Sequence, residues 1–540
     1  MTGQRQSSAR RVRGMVLAAA LGVAGAIWGM PGAAAPQLAA YKLSLAEEVA
    51  GDQGIARFYR GREFAPVWTG KQGAERRAAF LAALAQAADH GLPKYRYDPQ
   101  ALIAEFRNVD SEDARGALEA RMSRVFVQYA SDISTGVLTP RDVAPNILRE
   151  VERPSAETLL QQLVRAETPA RFLRDLVPER PEYARLFRTR QQLVARLEAG
   201  GWGPPVHAET LRPGDTGDAV VALRNRLIRM GHLERSVSRS YDLTLQLAVR
   251  RFQERHGLDA DGVAGRRTLE AINQSPRERL IAVSAAMERE RWLNRDLGDR
   301  HIWVNLTDFA TRIVDHGGIT LQTRSVVGHR ASNRQTPEFS EDMTYMEINP
   351  DWTVPRSIIA RDYLPGLQAN RHAHPEMQVI DARGNVVDRS SVDFSQYSIR
   401  TFPYRLRQPP GPRNALGRVK FMFPNPHAIY LHDTPHRSLF DTLVRTHSSG
   451  CVRLEDPLEF AYELLSPQVD DPVGRFHTVL DTGQQTRIYL DDPVPVHLVY
   501  RTAFSDAEGQ IQYRPDVYGR DMAVFEALTD AGVVLPGVES

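Results

Sequence analysis

The chain has a single cysteine, Cys451. It lies in the run His447-Ser448-Ser449-Gly450-Cys451-Val452-Arg453, downstream of His432. A thiol of ordinary pKa is mostly protonated near neutrality, and an adjacent imidazole can take its proton to leave the stronger nucleophile. Packing alone would explain an isolated cysteine, which is among the most buried residue types. The surroundings point the other way. His432 follows the apolar run Ala428-Ile429-Tyr430-Leu431, so a strand end is expected to project its ring toward the loop carrying Cys451. His447 is nearer in sequence, but an offset of four aligns side chains only on a helix, and Ser448-Ser449-Gly450 reads as a loop. Those small residues leave main-chain N–H groups free to converge on a developing oxyanion. The chemistry implied is acyl transfer, with Cys451 as nucleophile and His432 as general base.

Arg453 has two readings. It could pair with Glu455 or Asp456 at the surface, an interaction worth little. Alternatively its guanidinium, two residues from the nucleophile, holds a substrate carboxylate by two parallel hydrogen bonds. Asp433 suggests a third triad member, yet neighbours on a strand point to opposite faces, so a main-chain carbonyl is expected to orient the imidazole. His372 and His374 have no thiol or acidic cluster near them in sequence and make a poor zinc signature. No metal and no cofactor is assigned.

The N-terminus bears on that thiol. Arg5, Arg10, Arg11 and Arg13 precede an uncharged run from Met15 to Met30, followed by Pro31-Gly32-Ala33-Ala34-Ala35, the layout of a secretory signal over residues 1–35. Export is expected, and an idle free thiol in an oxidising compartment risks oxidation. Pro36 would obstruct cleavage after Ala35 and the apolar run is only slightly short for a spanning helix, so an uncleaved N-terminal membrane anchor stands beside the cleaved signal. Arg10-Arg11 is too common a pair to assign twin-arginine export. Removing residues 1–35 takes away four arginines and no carboxylate, which moves the formal net charge from +2 to −2. That balance lacks the basic footprint of a nucleic-acid binder. With 42% apolar residues, two or three domains are expected.

Three stretches must position the site. From about Ser44 to Leu197, apolar residues recur at helical spacing. Asp98 before Pro99 reads as a helix cap followed by a first-turn proline. His90-Gly91 reads as a helix end, with His90 structural. After the turn-rich Gly201-Trp202-Gly203-Pro204-Pro205, a compact unit follows. One helix there carries Val220, Leu223, Leu227 and Met230 behind an Asp218 cap, a second carries Leu245, Ala248, Val249 and Phe252, and a third surrounds Leu269. Beyond a helical connector near Arg277 to Leu293, the runs turn short, β-branched and aromatic, as in His301 to Leu306.

The Gly214-Asp215 opening, Ala248 to Gln253 and Asp261 to Thr268 together resemble the three-helix peptidoglycan-binding domain of cell-wall enzymes. Val326-Val327-Gly328, Thr336-Pro337, Ile348 to Pro355, Leu416 to Phe421 and the His432 to Arg453 segment occur in the order seen in L,D-transpeptidase catalytic domains. With its upstream parts the chain resembles the large periplasmic L,D-transpeptidases of Gram-negative bacteria. The resemblance implies an α+β multidomain fold. Its parts would be a helical scaffold over 42–205, a peptidoglycan-binding-like domain over 211–274, a mainly β catalytic domain over 291–500 with a capping insertion at about 357–412, and a C-terminal extension over 501–540.

It further implies a periplasmic enzyme whose Cys451 forms a thioester with a tetrapeptide stem, releases D-alanine, and yields a 3-3 crosslink between two meso-diaminopimelate residues. The oxyanion donors would be the amides of Ser449, Gly450 and Cys451. Ser448 matches the family's loop hydroxyl at the substrate, and Arg453 would hold a stem carboxylate. The family often has His where Ser449 stands, so a substrate-orienting histidine is not carried over. The implied partners are peptidoglycan stem peptides and glycan, carbapenems that acylate the thiol, and other wall-synthesis proteins. An L,D-carboxypeptidase, a transpeptidase attaching protein to the wall, and an inactive wall-binding scaffold are the alternatives.

Overall fold

The computed structural model describes residues 34–535. All but the last two residues of the export signal therefore lie outside the described residues. Among the described residues no helix is long and apolar enough to cross a membrane.

Helices from Ala34–Glu48 to Pro181–Glu198 form the N-terminal unit, around a core that includes Tyr59, Trp68, Phe80 and Phe126. Its longest helix, Glu112–Thr135, is capped by Ser111, whose Oγ accepts from the Ala114 amide. The same helix buries Glu119, whose carboxylate accepts from the amides of Val67, Trp68 and Thr69 and from the Tyr59 hydroxyl. With the Thr69 hydroxyl, five donors converge on that charge, which makes its burial tolerable. Asp98 caps its helix through the Gln100 and Ala101 amides. The helix read as ending at His90-Gly91 stops earlier, at Ala85, and continues as turns to Gly91, where φ is +73°. His90 is half-buried, its Nδ1 3.1 Å from the Tyr183 hydroxyl.

The second unit has the three expected helices, Asp218–Arg229, Leu243–Arg255 and Arg266–Asn273, closed around Leu223, Phe252 and Ile272. Its first cap differs from the expectation: Gly217 occupies the cap with φ +111° and Asp218 is the first helical residue. The chain's turn into the helix needs a backbone that side-chain residues resist.

The helix Pro276–Trp292 joins the units. A capping box between Ser275 and Glu278 starts it, and nearly every residue is buried because neighbours cover it on all sides. Leu280 and Val283 meet the Pro181–Glu198 helix and the C-terminal segment; Ala285 and Trp292 meet the helix Arg520–Asp530. Inside this contact Arg289 pairs with Glu338 and Asp521, and Arg520 pairs with Glu338, all four side chains at most 5% exposed. The segment read as an extension beyond residue 500 therefore folds back into the centre of the molecule.

Twelve strands come from residues 300–499: β1 (Arg300–Asn305), β2 (Ala310–Asp315), β3 (Gly318–Gly328), β4 (Phe339–Ile348), β5 (Trp352–Thr353), β6 (Gln378–Ile380), β7 (Arg405–Gln408), β8 (Val419–Met422), β9 (Leu431–His432), β10 (Thr446–Ser448), β11 (Val452–Leu454) and β12 (Thr486–Val499). A hairpin of β13 (Ala503–Ser505) and β14 (Ile511–Tyr513) follows. Nine strands form one sheet in the order β10-β3-β11-β9-β8-β4-β12-β1-β2, and β2 also pairs with β3, so the sheet closes on itself. The insertion is a unit of its own: β5, β7 and β6 form a small sheet over Val354, Leu364, Phe402 and Leu406. Its core reaches from Trp352 to Leu416, wider than the 357–412 read from sequence, because the flanking apolar residues belong to the cap.

Candidate active site

The parallel pairing of β9 with β11 sets Val452 beside Leu431 and Arg453 beside His432. Leu431 and Val452 are fully buried in the core, so alternation turns Tyr430, His432, Cys451 and Arg453 to the opposite face. Across β9, β8 sets Lys420 beside His432; β4 then sets Glu347 beside Lys420, and β12 sets Arg487 beside Glu347. One row of the sheet thus reads Arg453, His432, Lys420, Glu347, Arg487. Glu347 offsets two of the cations, with Lys420 Nζ at 3.2 Å and Arg487 Nε at 2.8 Å. Arg453 has no such offset. Its Nε is buried without a hydrogen-bond partner among the described residues. The carboxylates offered by sequence are taken elsewhere: Glu455 pairs with Arg324, and Asp456 accepts from Thr323 Oγ1 at 2.9 Å.

The loop carrying Cys451 is braced from within. Ser448 is buried; its Oγ donates to the Cys451 carbonyl at 2.5 Å and accepts from the Gly450 amide at 3.1 Å. In this arrangement the Ser448 hydroxyl, read as facing substrate, is engaged within the loop, and the Gly450 amide, read as an oxyanion donor, already has an acceptor. Gly450 holds φ +125°, which excludes a side-chain residue. Its carbonyl accepts from Thr336 Oγ1 at 2.8 Å, and Thr336 Oγ1 in turn accepts from the Gly328 amide at 2.8 Å. A Cβ on Gly328 would lie 2.2 Å from the Arg334 carbonyl, so the Val-Val-Gly and Thr-Pro motifs lock together and hold the loop. The Ser449 and Cys451 amides donate to no main-chain group among the described residues. They are the two remaining candidates for an oxyanion hole.

His432 Nδ1 lies 2.5 Å from the carbonyl of Asp433. A carbonyl only accepts, so Nδ1 carries the proton and Nε2 is the free base. The Asp433 carboxylate is engaged by the amides of Arg418 at 2.8 Å and Thr434 at 2.6 Å, which removes it from the imidazole. Burial, then the charge of Arg453, push the pKa of His432 down to about 3, with Lys420 adding to the effect. Burial pushes the Cys451 thiol up, opposed by the polar groups of Tyr430 and the charges of Lys420 and Arg453. The resting pair is therefore neutral thiol and neutral imidazole, and Sγ donates to the Ala428 carbonyl at 3.6 Å. His447 is exposed, with Nε2 3.3 Å from Thr442 Oγ1.

Three groups at this site escaped the sequence. Arg361, in the turn Ile359–Tyr363 of the cap, donates to Ser449 Oγ at 3.0 Å while paired with Asp362. Arg334 donates to the Ser448 carbonyl at 3.4 Å. Both arrive through irregular segments that carry no periodicity. Tyr430 meets the His432 ring edge-on at 5.6 Å, and two-residue alternation back from His432 would have found it.

A β domain that sets a lone thiol, an imidazole and an unpaired guanidinium on one face, under an inserted cap, has the layout of an acyl-transfer site. Three family models match in tandem: a scaffold domain over residues 53–189, a "Putative peptidoglycan binding domain" over 216–272, and an L,D-transpeptidase catalytic domain over 299–491. Residues 299–491 thus resemble an L,D-transpeptidase catalytic domain, preceded by segments that resemble a scaffold domain and a putative peptidoglycan-binding domain. A "Putative L,D-transpeptidase" of Haemophilus influenzae is 36% identical over 252 residues, 46% of this chain and 50% of that protein. The chain thus spans about half the length of the curated relative it matches. Crystal structures of L,D-transpeptidases from Xylanimonas cellulosilytica (14% identity, 55% of this chain and 100% of that one, TM-score 0.16) and Stackebrandtia nassauensis (13%, 55% and 97%, TM-score 0.21) also match.

Proposed function

We propose that the chain is a periplasmic L,D-transpeptidase that forms 3-3 crosslinks through a thioester on Cys451. His432 Nε2 takes the Sγ proton as sulfur attacks the carbonyl between the L-centre of meso-diaminopimelate and terminal D-alanine. The Ser449 and Cys451 amides stabilise the tetrahedral oxyanion. Collapse breaks the C–N bond, and the imidazolium returns its proton to the departing D-alanine amine. The side-chain amine of a second stem's diaminopimelate then attacks the thioester and gives its proton to His432. The thiolate leaves and is reprotonated.

The observation that carries this reading is the row in which Arg453 and His432 stand side by side next to Cys451. An unpaired guanidinium there suits the stem's carboxylate. Carbapenems, which also bear a carboxylate beside a reactive carbonyl, are proposed to acylate the same sulfur.

Incubation of the purified chain with tetrapeptide stems, read by mass spectrometry, tests it. Dimers with loss of one D-alanine per crosslink support the crosslinking reading. Tripeptides without dimers replace it by an L,D-carboxypeptidase, and an unchanged substrate contradicts both.

A further inference from the structure

A cavity of about 830 Å³ opens where the helix Pro181–Glu198, the three-helix unit, the helix Pro276–Trp292 and the β13–β14 hairpin meet. Cys451 is not among its lining residues. Arg185, Arg188, Arg196, Arg229, Arg255 and Arg279 line it, and no Asp or Glu does. Where these arginines make hydrogen bonds, their partners are neutral oxygens, such as Ser505 Oγ for Arg185 at 2.9 Å and the Ala271 carbonyl for Arg279 at 2.9 Å. Arg279 is 5% exposed and its guanidinium sits 4.3 Å from the centre of the Tyr513 ring. His256, which also lines the cavity, is 5% exposed; its Nδ1 bonds the Phe252 carbonyl at 2.6 Å, and its Nε2 has no partner among the described residues. Burying the Arg279 cation without an anionic partner is costly unless something supplies one, and His256 Nε2, an acceptor because Nδ1 carries the proton, lacks a donor that a stem amide N–H could supply. Elsewhere in this interior Arg289 and Arg520 are matched by carboxylates of the chain itself, while Arg149 and Arg226 rest on neutral oxygens; what sets the cleft apart is that six arginines line one space that no Asp or Glu lines.

We propose that this cleft is a second binding site, for the carboxylate-bearing peptide stem of peptidoglycan. The inference rests on the peptidoglycan reading above and adds to it where a wall strand is held. The arginines are spread out: Arg188 and Arg196 are separated by about 12 Å along one helix. An inorganic anion would need donors converging on a point, whereas a peptide stem offers several carboxylates along an extended chain. Trp202 and Tyr513, both in the lining, give its methyl groups apolar surface. A strand held across the scaffold and the three-helix unit would tether the enzyme to its polymer substrate.

Hydrogen exchange on the Cys451→Ala chain, titrated with a disaccharide tetrapeptide, localises the bound stem. Protection is expected in the segments around residues 185–196 and 228–232. Arg188 and Arg229 are exposed, so the double variant Arg188→Ser/Arg229→Ser should keep the wild-type melting temperature. In it, the ligand concentration for half protection should rise about tenfold or more, the loss expected for charge-assisted contacts. A stem with amidated carboxylates should lose as much on the unaltered arginines. Unchanged protection in the double variant, protection absent from both segments, or displacement by pyrophosphate at concentrations comparable to the stem would each overturn the proposal. Carbapenem acylation of the double variant carrying Cys451 is read separately: normal acylation leaves the catalytic reading standing whatever the cleft does.

Discussion

Arg453 stands directly beside His432 across the β9–β11 pairing, and no carboxylate among the described residues offsets it. At a strand spacing of about 5 Å and an effective dielectric of about 20, one unit charge opposes protonation of the imidazole by roughly 3 kcal/mol. A donor carboxylate seated on Arg453 would cancel much of that repulsion. Donor binding and base strength are coupled in this way: His432 accepts the thiol proton most readily once the stem is in place.

Arg453→Gln should therefore lower kcat/KM for the stem donor by about 100-fold, from the loss of two charge-assisted hydrogen bonds. Arg453→Lys, which keeps the charge without the fork, should recover part of it. Steady-state kinetics on synthetic tetrapeptide checks this. A loss below about threefold in the glutamine variant would remove Arg453 from the donor site.

His432→Ala should slow acylation by a carbapenem by about 100-fold or more, the usual worth of a general base. His447→Ala should stay within about threefold of wild type, because its ring is exposed and turned to Thr442. Stopped-flow acylation rates decide between them, and the reverse order would transfer the base to His447.

The depressed pKa of His432, about 3, fixes the sign of two pH effects. A base that stays deprotonated keeps working on acidification, so the acylation rate should be nearly flat from pH 7 to pH 5. An imidazole of ordinary pKa, about 6.5, would lose roughly 20-fold over that range. Stability behaves oppositely. The unfolded imidazole gains a proton below about pH 6.5 while the folded one does not until about 3, so folding loses about 1.4 kcal/mol per pH unit per such histidine. His497, also held near 3 by burial, adds to the effect. The melting temperature should fall between pH 7 and pH 5 while acylation holds, and a parallel fall in both would contradict the assignment.

The residues proposed to act were legible in the sequence because they sit on short local patterns. Cys451 and His432 stand at a loop and a strand end with distinctive neighbours, and strand alternation alone predicted that a carbonyl, not the Asp433 carboxylate, would orient the ring. What stayed hidden depends on contacts between distant segments. Ser448 looked like a free hydroxyl because nothing in sequence shows that its Oγ turns back on Gly450 and Cys451. Arg361 reaches Ser449 only through the fold of the cap, 88 residues earlier in the chain. At the fold level, the helix Pro276–Trp292 read as a connector, since burial on all sides is set by partners that include the last helix of the chain.

The intact mass of the protein after brief exposure to the tetrapeptide donor, without acceptor, tests the thioester on Cys451 most directly. Wild-type chain should gain the mass of a tripeptide acyl group, the donor less D-alanine, and hydroxylamine should discharge it; Cys451→Ala should gain nothing. An adduct that persists in Cys451→Ala, or its absence from folded wild-type protein that still forms dimers, would contradict a cysteinyl acyl-enzyme.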